Sequence, residues 1–347
     1  MQRSTRARRS AMPRFLLFIL IVALLMSGCG SRPEDCASPE LYCVGLVTDY
    51  GPVDSGINLQ AWLALQDART ASLVDRIDYI ETVDTRDRAA NIAAFAQHEY
   101  DLIVTVGAPI ADETMKAALR YPKSQFIGVE QSQQKKRKNL AGLIFREDYG
   151  GFLAGALAAR VSQTGQVAAV CEAKYIDSVR RYCDGFVAGA QYTDPEVRAT
   201  ATYRDGPSAS LFNDPSWGRS AALQQVAQGA DVLFATGGRT ADAALEAAAS
   251  QGVYVIGSET DLYLDLPDIR PQLLTSATSD IRAGLLQLIT LTRQGKFPAG
   301  EFVGGEKLAP WHDLDRQIPL GTKQEVERLY VRLAMDIIPL DIPYEQP

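Results

Sequence analysis

Four acids stand where binding chemistry would be done: Asp49, Asp112, Glu259 and Asp261 each follow a short run of β-branched and apolar residues (VGLVT, LIVTV or VYVI). A carboxylate so placed accepts hydrogen bonds from hydroxyl, amine or imino groups, and each charge-assisted bond contributes about 1.5–3 kcal/mol. After the run Val232 to Ala235 comes Gly237-Gly238-Arg239. Its backbone N–H groups could bind an anion at a helix start, although paired glycines more often make a tight turn. Acids and amides dominate these positions, which suits a small polar ligand rich in donors better than a phosphate. Asp49, Asp54, Asp112 and Asp261 would form an oxygen site for a hard cation only if several loops converged. With His98 and His312 as the only histidines, imidazole-rich metal sites are disfavoured, and neither metal nor cofactor is expected. The chain has no Walker A, G-x-G-x-x-G, G-x-S-x-G or H-E-x-x-H pattern, so no catalytic residue is assigned and an enzyme has no support from motifs; the expectation is a binding protein.

The elements that must position these residues alternate. Strand candidates are Val44–Thr48, Leu102–Val106, Gln125–Val129, Val167–Val170, Val232–Ala235 and Val253–Ile256. Several are apolar throughout, as strands covered on both faces are. Between them lie amphipathic stretches of helical length: 58–71, 88–98, 110–120, 149–161, 217–228, 240–251 and 280–294. Such alternation builds right-handed βαβ crossovers and doubly wound parallel sheets flanked by helices, an α/β class that binds ligands beyond the carboxyl ends of its strands. Thr322 with Glu325 three residues on predicts a capping box at the start of a final helix.

The first 28 residues differ from the rest. They hold five arginines and no acid, so the remainder has 30 basic against 42 acidic side chains, net −12 with His neutral. That balance argues against nucleic acid as a partner. The apolar run Phe15 to Leu25 is too short to cross about 30 Å of hydrocarbon as a helix, but it suits a signal peptide over 1–28. Leu25-Met26-Ser27-Gly28-Cys29 resembles a bacterial lipobox, which makes Cys29 the lipid-bearing first residue of a chain held at the extracytoplasmic face of the cell membrane. Residues 29–41 have the composition of a tether. The remaining cysteines, Cys36, Cys43, Cys171 and Cys183, are even in number. Outside the cytoplasm they permit disulfides, and closeness in sequence suggests Cys36–Cys43 and Cys171–Cys183, without fixing the connectivity. The 319 residues after the signal segment exceed the roughly 250–300 at which single cores divide, so two lobes are expected.

Longer motifs add a resemblance. Val44 to Asp54 (VGLVTDYGPVD) with Asn58 and Ala61-Trp62, then Tyr100 to Val104, Glu147 to Gly155 (EDYGGFLAG), Gly185-Phe186 with Gly189-Ala190, Phe212-Asn213-Asp214-Pro215, and Gly229 to Val232 with Gly237-Gly238, follow in order. Together they resemble the basic-membrane-protein family of purine-nucleoside-receptor-like lipoproteins of ABC importers. The resemblance implies a two-lobed type I periplasmic binding protein whose small-molecule ligand lies in an interlobe cleft and whose partner is an ABC transporter permease. It implies lobes at 42–146 plus 277–300 and at 147–276 plus 301–340. Carried over, Asp49 would contact a nucleobase, with Asn58 and Asp112 beside it, Phe212 would stack on the base, and Gly238, Glu259 and Asp261 would serve the second lobe. Ile57 stands where the family has a stacking phenylalanine, with Tyr50 a candidate replacement. Glu259 stands for an aspartate and Ser279 for a ribose-binding lysine. The rival readings are a sensory lipoprotein signalling to a membrane partner and a nucleoside hydrolase.

Overall fold

The computed structural model describes residues 36–133, 135–206 and 210–342. The signal segment and Cys29 lie outside the described residues. In chain order the elements run β1 (Cys43–Thr48), α1 (Gly56–Thr70), β2 (Arg76–Ile80), α2 (Arg88–Gln97), β3 (Leu102–Val106), α3 (Ala111–Arg120), β4 (Gln125–Val129) and β5 (Leu140–Ile144). They continue with α4 (Glu147–Val161), β6 (Gln166–Cys171), α5 (Asp177–Thr193), β7 (Arg198–Tyr203), α6 (Pro215–Ala227), β8 (Val232–Thr236) and α7 (Gly238–Ala249). The last are β9 (Tyr254–Glu259), the single turn α8 (Leu262–Asp265), β10 (Leu273–Ser279), α9 (Ile281–Arg293), β11 (Gly300–Val303), β12 (Glu306–Leu308) and α10 (Leu320–Ala334).

Two six-stranded sheets result, ordered β11-β5-β4-β3-β1-β2 and β12-β10-β9-β8-β6-β7. Every pairing is parallel except β12 against β10. Each sheet is covered on both faces. Val44, Leu46 and Val104 pack under α1 and α9, while Val47, Ile103 and Phe126 pack under α2 and α3. In the second lobe α4 and α5 cover one face and α6 and α7 the other. The helices α4 and α5 pack without room for side chains between them: a Cβ on Gly155 would stand 1.9 Å from the Phe186 carbonyl oxygen, and one on Gly189 as close to that of Phe152. Disulfides join Cys36 to Cys43 and Cys171 to Cys183, the second tying β6 to α5.

Within the described residues the chain passes between lobes three times, around Phe145–Arg146, at Asp280 and at Gly304–Gly305. Hydrogen bonds link the crossings, the Gly304 N–H donating to Ile144 O at 2.7 Å and the Asp280 N–H to Gly305 O at 2.9 Å. The divisions fall a few residues from those expected. β10 stays in the second sheet through Ser279 and β11 in the first through Val303, because a strand leaves its sheet only where its ladder ends. The expected capping box does not form: Pro319 occupies the cap of α10, Thr322 lies inside the helix, and Glu325 pairs with Arg160 instead. Proline suits a helix opening because its missing N–H would have no partner there.

Candidate functional site

In each sheet the strand order reverses beside a central strand, between β1 and β3 and between β6 and β8, the switch point where such sheets bind ligands. Asp49 and Glu172 stand just past β1 and β6. Each faces a glycine with positive φ: a Cβ on Gly107 would meet the Asp49 Cβ at 2.8 Å, and one on Gly237 would meet the Glu172 Cβ at 2.3 Å. Glycine is needed at both, since the backbone lies in the left-handed half and the space is filled by the acid.

The two acids differ in their partners. Glu172 is wholly buried, paired with Arg204, and accepts from the Phe212 N–H at 3.1 Å and the Thr240 hydroxyl at 2.6 Å. Asp49 pairs with Arg88, which also donates to the Asp49 carbonyl at 3.2 Å, and keeps 18% of its side-chain surface. Burial raises its carboxyl to about 6; Arg88 opposes the rise and Glu113 adds to it.

Between the lobes lies a cavity of about 280 Å³. The first lobe contributes Ser55, Gly56 and Ile57 from the start of α1; the second contributes Gly238 and Asp242 of α7, Glu259 at the end of β9, and Asp265 of α8. Its charged lining residues, Asp242, Glu259 and Asp265, are all acids. Burial raises Asp242 to about 7, with the charges of Glu259, Glu246 and Asp265 adding to the rise. Burial also raises Glu259, against hydrogen bonds from Thr236 and the Gly237 N–H. Glu130, after β4 in the first lobe, is pushed well up by burial and then by Glu259, Glu147 and Glu306. Glu130 and Glu259 both hold positive φ, 60° and 70°, a conformation that costs of order 1–3 kcal/mol outside glycine.

Of the residues expected at the site, Gly238 and Glu259 line this cavity, and Ile57 with them. Phe212 adjoins it, its carbonyl 3.0 Å from where a Gly238 Cβ would be. Tyr50 is half exposed on the loop after β1. Asn58 braces that loop, donating to the carbonyls of Tyr50 at 3.2 Å and Pro52 at 3.0 Å, while Ser55 takes the helix cap. Asp112 is exposed in the first turn of α3, and its neighbour Glu113 is the acid that acts on Asp49. Asp261 is occupied elsewhere, 2.8 Å from His312 Nε2 and accepting from the Tyr263 N–H, with the Tyr263 and His312 rings stacked at 4.0 Å. Gly237-Gly238 makes the tight turn, and Glu259 already takes the Gly237 N–H. Ser279 is buried, donating to Glu306 Oε2 at 2.9 Å and lying 3.2 Å from the Tyr182 hydroxyl. Among the described residues no group of His, Cys, Asp or Glu is placed to hold a metal ion.

Sequence reasoning missed Asp242, Asp265 and Glu130. Asp242 was within reach, because residues four apart share a helix face and Gly238 was already a candidate. Glu130 was within reach as well, directly after the strand candidate Gln125–Val129, whereas nothing in the local pattern marks Asp265.

Two lobes of this topology joined by three crossings, with a ligand-sized cavity between them, define the class of two-lobed solute-binding proteins. A solute-binding protein of an ABC transporter system from Aeropyrum pernix K1 superposes with a TM-score of 0.73 over 88% of this chain and 94% of that one, at 21% identity. The particular family follows from the sequence: residues 43–303 match the family described as Bmp, ABC transporter substrate-binding protein PnrA-like, and the chain belongs to it. Among similar relatives are the CD4+ T-cell-stimulating antigen of Listeria monocytogenes, 26% identical over 86% of this chain and 87% of that one, and the ABC transporter nucleoside-binding protein BmpA of Lactococcus lactis, 26% identical over 80% and 84%.

Proposed function

We propose that the protein is a lipid-anchored, extracytoplasmic solute-binding component of an ABC importer. It closes its lobes on a neutral or cationic ligand rich in N–H and O–H donors, a nucleoside being the best fit, and presents the closed form to a permease. The observation that carries the ligand class is the cavity, whose charged groups Asp242, Glu259 and Asp265 are all acceptors. Hydroxyls of a sugar would donate hydrogen bonds to these acids, whereas a phosphate would bring like charge into a low-dielectric cleft, which is strongly unfavourable. Asp49, with its incomplete set of partners, would accept from base amine or imino groups, and Phe212 would lie against the ring. The nucleoside-binding relative from Lactococcus lactis supports the same choice.

Thermal unfolding with nucleosides, their 5′-monophosphates, free sugars and amino acids tests it. A ligand present at a hundredfold over its Kd stabilises by about 2.7 kcal/mol. Nucleosides are expected to raise the Tm and monophosphates to leave it unchanged; equal stabilisation by monophosphates refutes the acid-lined site.

A further inference from the structure

We infer that the far pole of the first lobe is a membrane-lying surface that rests on anionic phospholipid headgroups, an orientation that builds on the lipid anchor proposed above. At this pole strands begin and helices end, away from the cleft. Lys135, Lys136 and Lys138 form the loop entering β5, where Arg137 bridges to Leu140 and the Lys136 stem packs beside Gly300 at the start of β11. Arg293 ends α9 with its guanidinium 4.2 Å over the Tyr42 ring, and Lys296 follows. Arg120 ends α3 and, with Lys123, borders a recess of about 450 Å³ whose other wall is Cys36 to Pro39. These lysines, Arg293 and Arg120 are exposed, and Arg137 is half-buried. Among the described residues the exposed acids at the same pole are Glu40, Asp75, Glu99 and Glu301; Asp75 accepts from the Tyr42 N–H at 2.8 Å and Glu301 from the Ser132 hydroxyl. An excess of cations thus gathers on one end of an acidic protein.

Among the described residues the corresponding pole of the second lobe has no such excess. There Arg198 is exposed beside Glu196, Arg160 is held by Glu325 at 2.6 Å, and Asp231 accepts from Ser162, Gln163 and Thr164. Helix ends favour cations in both lobes alike, so that preference does not account for the difference.

The tether makes the partner a bilayer. Cys36 is fixed at the basic pole by its disulfide to Cys43, the first residue of β1, and by its N–H donating to His98 O at 2.9 Å. Seven residue steps separate Cys29 from Cys36, a reach of at most about 25 Å. A lipid on Cys29 therefore keeps this pole close to the headgroups, where each exposed lysine or arginine is attracted to anionic lipid over about a Debye length. Such a contact leaves the second lobe free to move in closure.

The test is lysine footprinting of the whole processed chain on vesicles of phosphatidylcholine, with or without phosphatidylglycerol. At salt of about 0.05 M the acylation of Lys123, Lys135, Lys136, Lys138 and Lys296 should slow several-fold only when phosphatidylglycerol is present, while Lys174 on the second lobe keeps its rate. The variant K135E/K136E/K138E should lose the protection at Lys123 and Lys296 yet still float with both vesicle types at about 0.5 M salt, where surface attraction is screened. Equal reactivity on both vesicle types, or protection of Lys174 to the same degree, overturns the proposal. Failure to float at high salt counts against the lipid anchor alone. In that case the native chain is still expected to bind phosphatidylglycerol vesicles at low salt, and its failure to do so also overturns the proposal.

Discussion

Asp49 and Glu172 occupy the same place in two sheets of the same strand order, each opposite a glycine and each joined to an arginine, yet they have separate work. Glu172 has its charge and both oxygens answered by Arg204, Thr240 and the Phe212 backbone, and no surface is left on it. It fixes the loop that brings Phe212 beside Gly238. Asp49 has one arginine, some exposed surface and a carboxyl raised to about 6. A buried acid whose acceptors are filled by its own protein is architecture; one left part-filled at a switch point is available to a ligand.

Three perturbations bear on that difference. The largest effect is expected from Arg204→Met, which leaves Glu172 buried and unpaired and should cost about 3–5 kcal/mol in unfolding free energy by chemical denaturation. A loss below that of an ordinary surface change would remove Glu172 from the framework. Next, Asp49→Asn should weaken nucleoside binding by about 1.5–3 kcal/mol in calorimetry, the worth of a hydrogen bond to a charged group, with a smaller effect on stability. If both variants lose stability equally and neither loses affinity, the two acids are equivalent after all. The smallest effect is that of pH. The Asp49 carboxyl sits above its ordinary 3.8, so the folded ligand-free chain holds the extra proton between about pH 4 and 6, and this group lowers stability as pH rises through that window. Ligand donors need the ionised form. From pH 7 to pH 5 the affinity should therefore fall in the native chain, and fall less in Asp49→Asn, where the remaining dependence is that of Asp242, raised to about 7.

The strands the sequence announced are those buried on both faces, such as β3 and β8, where apolar runs leave one reading. The edge strands β2 (RIDYI) and β7 (RATATY) carry polar residues and pass as loop. Helix α5 was missed for a related reason. Arg181 and two glycines lie on its buried side, Arg181 compensated by Asp148 at 2.5 Å and the glycines by contact with α4, and neither compensation is visible in a local pattern.

By itself the sequence determined the layered α/β class, the division into two lobes and the positions of Asp49, Gly238 and Glu259 at strand ends, because periodicity and turn chemistry are local properties of the chain. Only the tertiary structure decided which acids share a cavity. Asp261 is taken by His312, fifty-one residues away, Asp112 turns outward while Glu113 acts on Asp49, and Asp242 and Asp265 join Glu259 in the cavity, with the charge of Glu259 also felt by Glu130 of the first lobe. The reason is physical: a carboxylate's role depends on how many donors reach it and how much water remains, and both are fixed by segments far apart in sequence that meet only when the two sheets fold and face each other.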